Sequence, residues 1–235
     1  MERLVRTIGL VAALSILGAW IETGGDWLTG PSDTEEAPIH LDAPNVTREL
    51  LLEPRVLAHE MHLDQSTQLA SARHEIEASL LPTAASLFVL VFLAVLLWRR
   101  QGALARLAAV VGLGAAVFAT ATAFMEAHRL LDAVEAARTA HAAGAFAVAA
   151  RKAALLKWAM VFLGVLATTP LFFLDGDETT WALGGTALLT GFLGLAGLRW
   201  NVDLLQCAFV LLTITELFLA WLCWVDPGRL LGSQA

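Results

Sequence analysis

Apolar residues along this chain are gathered into long blocks, and they follow neither the 3.6-residue period of an amphipathic helix nor strand alternation. Six blocks stand out: Thr7–Ile21, Thr83–Trp98, Ala103–Phe124, Trp158–Leu174, Trp181–Leu198 and Val202–Val225. A helix needs roughly 20 apolar residues to cross about 30 Å of hydrocarbon, so the shorter blocks must borrow flanking residues. In lipid the backbone polar groups must be satisfied within the segment, which makes α-helix the expected form. Trp20, Trp98, Trp158, Trp181, Trp200, Trp221 and Trp224 stand at or near block ends, the positions of an interfacial belt. The expected fold class is an all-α polytopic transmembrane helix bundle of six or seven spans.

The blocks divide the chain into three regions. Residues 1–21 carry Arg3 and Arg6 ahead of an apolar run, and they read as an N-terminal signal-anchor helix. Leu17 and Trp20 make a poor cleavage region, so the segment is expected to stay uncleaved. Residues 22–82 are expected to form an acidic extracytoplasmic segment. Gly24-Gly25, Gly30-Pro31, Pro38 and Pro44 mark loop, and the Gly- and Pro-free stretch from Arg55 to Leu80 predicts helix. Residues 83–235 form the transmembrane bundle.

The span count turns on Glu126–Ala150, which is Ala-rich but contains Asp132, Glu135, Arg138 and His141. Each charge near the bilayer centre costs about 2.5–3.5 kcal/mol, which favours a helix at the surface and six crossings. Loop charge argues for seven. Arg99, Arg100 and Arg106 mark a cytoplasmic turn, and only a further crossing brings Arg151, Lys152 and Lys157 to the same side. The loop-charge argument leads to seven crossings, with the N-terminus cytoplasmic and the C-terminus outside, in a membrane of the bacterial inner-membrane type.

Composition agrees with this placement. The 235 residues are 57% hydrophobic with mean hydropathy +0.67, above the roughly 45–50% apolar usage of soluble domains. Residues 22–80 hold 12 acids and three arginines, while the rest of the chain is nearly neutral. No basic stripe exists to neutralise phosphates, so nucleic acid is excluded as a partner. The partners expected instead are the lipid bilayer and other membrane subunits. Cys207 and Cys223 lie sixteen residues apart in one block, roughly 24 Å along a helix and beyond disulfide reach. Packing glycines at Gly112, Gly114, Gly184, Gly185, Gly191, Gly194 and Gly197 suit close helix contact in lipid. Pro170, after Thr168 and Thr169, predicts a kink.

Three groups of polar residues are candidates for chemistry. His59 and His62 are three apart, share a helical face, and suit a transition metal such as copper or zinc. The alternative is a solvated acidic helix with incidental histidines. His128, Asp132, Glu135 and Thr139 form one helical stripe, which is a metal or proton site if buried and a wet face if not. Arg129 and Arg138 are its nearest counter-charges. His128 and His141 stand thirteen apart, a spacing similar to that of the metal-binding subunit in membrane copper monooxygenases. There an acid precedes the first histidine by four; here that position is Phe124 and the nearest acid is Glu126. The likeness covers two residues and assigns no family.

Glu216 is the sharpest single feature. It sits near the middle of Val202–Val225, where an ionised carboxylate is poorly solvated. A proton-carrying acid and a contact with a partner helix are both consistent with that position. The leading functional expectation is a non-catalytic subunit or assembly factor of a membrane complex. A metal-dependent, copper-type membrane oxidoreductase subunit or metal-handling protein is one alternative, and a proton-coupled transporter is the other.

Overall fold

The structure, a computed structural model, describes residues 2–22, 84, 87–100, 102–138, 144–174, 178–200, 202–227 and 230. The expected acidic segment 22–82 lies outside the described residues, apart from Glu22 at the end of the first helix. Among the described residues all regular structure is helical. Helix α1 spans Glu2–Glu22, α2 Leu87–Arg99, α3 Ala103–Arg138, α4 Gly144–Thr168, α5 Glu178–Arg199 and α6 Val202–Val225. A single turn of helix, Pro170–Phe173, extends α4. The segments Ala103–Asp132, Val148–Phe173, Glu178–Arg199 and Asp203–Val225 are long and apolar enough to cross a bilayer, and Val5–Leu14 and Leu87–Arg99 are shorter apolar helices. The chain is a multi-pass membrane protein.

Helix boundaries depart from the apolar blocks at one place. Of the stretch Glu126–Ala150, residues 126–138 continue α3 and 144–150 open α4, and residues 139–143 lie outside the described residues. Alanine favours helix in either setting, so the pattern alone does not locate the break.

The chain divides into two compact units. The first comprises Met1–Gly18, Ala84–Ala119 and Trp158–Ala235, and the second Ala19–Thr83 and Thr120–Lys157. In the first unit small residues let helices approach closely. Gly112 on α3 lies against Thr168 on α4, and Gly164 on α4 lies against Ala115 on α3, so these helices run antiparallel. Leu90 and Ala94 of α2 pack over the same two glycines. Gly191 and Gly194 on α5 take the side chains of Leu166 and Phe162, and Gly197 meets the backbone of Leu205 on α6. Gly9 on α1 lies against Cys223 and Ala220 on α6. A methyl group at any of Gly9, Gly191, Gly194 or Gly197 would collide with these neighbours, so the packing requires glycine there.

Thr190 and Thr215 approach to 3.4 Å and add a polar contact between α5 and α6. At the turn between α2 and α3, Gly102 adopts φ 130°, a conformation that side-chain-bearing residues avoid. Arg100, on the same turn, donates from Nη2 to the carbonyl oxygen of Leu230 at 3.3 Å. Leu230 therefore lies at the end of this unit that holds the α2–α3 turn.

The exterior is as apolar as the interior. Phe162, Leu97, Leu183 and Leu222 are fully buried, yet Leu104, Phe118, Phe192 and Ile214 are exposed. Exposed apolar surface on this scale is a liability in water and the normal state in lipid. Trp98, Trp181, Trp200, Trp221 and Trp224 are also exposed, as belt residues are. Trp158 differs. It packs edge-on against Phe209 with ring centroids 4.5 Å apart and leans on Phe162 at 6.2 Å.

α4 is interrupted just before Pro170, where a kink is expected. The hydroxyl of Thr168 donates to the carbonyls of Gly164 and Val165, and that of Thr169 donates to Val165 at 2.8 Å. They bond these carbonyls, whereas the one that Pro170 deprives of its partner is that of Leu166.

Candidate functional site

Two carboxylates on apolar helices stand out, one in each unit: Glu126 is buried and Glu216 half-buried. In the second unit, Glu126 and Lys157 form an ion pair at 2.5 Å, with side chains only 12% and 11% exposed. The helices build this contact from alanine. Ala123, Glu126, Ala127 and Leu130 fall on one stripe of α3 and are all buried. Ala150, Ala153, Ala154 and Lys157 fall on the matching stripe of α4 and are buried too. Short side chains on both stripes leave room for a carboxylate and an ammonium to meet inside. Sequence reasoning missed the pair, because it grouped Lys157 with a basic cluster and treated Glu126 as a lone acid. The available signal was that each charge continues an alanine stripe at i, i+3, i+4 and i+7 spacing.

Close by on α3, Arg129 donates to Asp132 at 3.2 Å, and His128 Nε2 stands 3.9 Å from the same carboxylate oxygen. The side chain of His128 is 73% exposed and that of Asp132 30%. Glu135 continues α3. His59, His62, Thr139 and His141 lie outside the described residues. Among the described residues, no group of three or more His, Cys, Asp or Glu side chains is placed to share a metal ion.

In the first unit, Glu216 lines a cavity of about 30 Å³, which is room for one or two water molecules. Leu212, Thr215, Glu216 and Leu219 line it from α6, again at i, i+3, i+4 and i+7. Thr168 reaches it from the end of α4, and apolar side chains of α2, α4 and α5 close the rest. Among the described residues lining the cavity, none is basic and none but Glu216 is titratable.

The hydroxyls beside Glu216 have a fixed polarity. A threonine hydroxyl carries one hydrogen. Thr215 gives its hydrogen to the carbonyl of Leu211 at 2.7 Å, and Thr168 gives its own to the carbonyls one turn back. Of the other groups near Glu216 on α6, Thr213 donates to Phe209 at 3.1 Å, and Cys223 is buried and free.

No protein-family model matches the chain, and no curated protein or solved structure matches it.

Proposed function

We propose that this protein is a non-catalytic subunit or assembly factor of a membrane complex, threaded six times through a bilayer of the bacterial inner-membrane type. The observation that carries this reading is a contrast among helix glycines. Gly9, Gly112, Gly164, Gly184, Gly191, Gly194 and Gly197 are each covered by a neighbouring helix or turn, whereas Gly114 on α3 and Gly185 on α5 have open space above them. In lipid, bare glycine faces admit the close approach of another helix. Purification in mild detergent followed by native mass measurement tests the proposal. The expected result is an assembly heavier than the 25.1 kDa chain, disrupted by Gly114→Leu or Gly185→Leu. A lone monomer with its own turnover overturns it.

The proposed topology places Arg3, Arg6, Arg99, Arg100 and Arg106 in the cytoplasm, together with the C-terminal residues. It is supported by the Arg100–Leu230 hydrogen bond, since a chain returning to the same end makes an even number of passes. It is supported too by the ion pair at Lys157, because a lysine neutralised by Glu126 no longer argues for a cytoplasmic position. This six-pass reading differs from the seven crossings and outward C-terminus expected from loop charge. Reporters inserted at Gln101 and fused after Ala235 are expected to report the same side, and opposite sides overturn the six-pass arrangement.

A further inference from the structure

We propose that the open side of the α2–α3 hairpin binds one anionic phospholipid, with its phosphate held between Arg99 and Arg106. The register of the hairpin brings these two residues together. Ala94 of α2 faces Gly112 of α3 across an antiparallel pair, so residue 99 falls at the level of residue 107, next to Arg106. A helical advance of about 100° per residue then turns Val95 and Arg99 of α2, and Arg106 and Leu113 of α3, to one side of the hairpin. Helix α4 covers the other side, where Ala167 and Thr168 lie at Gly112 and Leu90 lies over Gly164. Arg99, Arg106, Val95 and Leu113 are all exposed.

Charge and surface both fit that occupant. Neither guanidinium joins the ion pairs found among the described residues. Arg100 is engaged instead with the carbonyl oxygen of Leu230. A guanidinium meets a phosphate through parallel hydrogen bonds, and two of them at one depth match a phosphodiester. Phosphatidylglycerol brings one unopposed negative charge, whereas phosphatidylcholine brings a cation of its own that two arginines repel. Trp98, exposed beside Arg99, supplies an indole at the depth of the headgroups. Val95 and Leu113 continue the same side with hydrocarbon, which acyl chains cover and a free phosphate ion does not. The ligand class is thus an anionic phospholipid, seated phosphate-first at the hairpin.

The site goes beyond a subunit role and stands or falls independently of it. Full-length protein in mild detergent, mixed with equal amounts of phosphatidylglycerol and phosphatidylcholine, gives the test by native mass measurement. The expected result is preferential retention of phosphatidylglycerol, with the preference falling about fivefold in each of Arg99→Gln and Arg106→Gln. Arg199→Gln removes the same charge from the end of α5 remote from the hairpin, since Gly191 pairs with Leu166 and Gly194 with Phe162. That variant is expected to keep the preference of the parent. Wild-type protein that retains the two lipids equally overturns the proposal, whatever the variants do. An equal loss in Arg199→Gln overturns it too, because net charge would then set the preference. Displacement of the lipid by an equal concentration of inorganic phosphate is the third result that overturns it.

Discussion

Glu126 and Glu216 are both carboxylates on helices that fit a bilayer, and the structure accommodates them in opposite ways. Glu126 is given a cation: Lys157 reaches it across two alanine stripes, and the pair shares one desolvated position. Glu216 is half-buried and lines a small cavity with Thr168 and Thr215. The first arrangement makes each charge depend on the other. Two acids of the same type, on the same kind of helix, thereby acquire different surroundings from their neighbours alone.

The largest expected effect comes from breaking the first arrangement on one side only. Lys157→Met strands Glu126 without its cation, and is expected to cost about 3–5 kcal/mol. Reversible unfolding in mixed micelles measures this, and a loss below about 1 kcal/mol would mean that the pair is not desolvated. The framework around the second carboxylate is the next target. Gly194→Val drives methyl groups into the ring of Phe162, beside the α4 residues that wall the cavity, and is expected to cost about 1–3 kcal/mol. Gly185→Ala has open space and should be tolerated in the same assay of the isolated chain.

Smaller effects sharpen the comparison. Glu216→Gln keeps the size and polarity of the side chain, so its stability should lie within about 1 kcal/mol of the parent, in contrast to Lys157→Met. Thr190→Val removes one polar contact between α5 and α6 and is expected to cost about 0.6 kcal/mol, the usual size for such bonds in lipid. Replacing both partners of the ion pair, Glu126→Leu with Lys157→Met, should return stability to near the parent value. That recovery separates the harm of a stranded charge from the worth of the pair itself.

How much of this was legible in the sequence differs by element. The block Val202–Val225 coincides with α6, because an unbroken apolar run flanked by polar residues has one helical solution in lipid. Glu216 was legible for the same reason: a lone acid in such a run is conspicuous. Its partners in the cavity were not, since Thr168 comes from another helix and its hydroxyl direction depends on the break before Pro170. The pair of Glu126 with Lys157 was not legible, because the charges around 126–150 were costed one by one. Glu126 and Lys157 are separated by more than thirty residues, and no helical periodicity links the two across that distance. Trp158 shows the same limit. Its place at a block end predicts the interface, but ring contacts with Phe162 and Phe209 hold it half-buried against the core.

Helix α3 carries a mechanical consequence. Its 36 residues measure roughly 54 Å along the axis, while the oily layer is only about 30 Å deep. A single rod must therefore stand in two solvents at once, with its surplus length projecting like a mast above a deck.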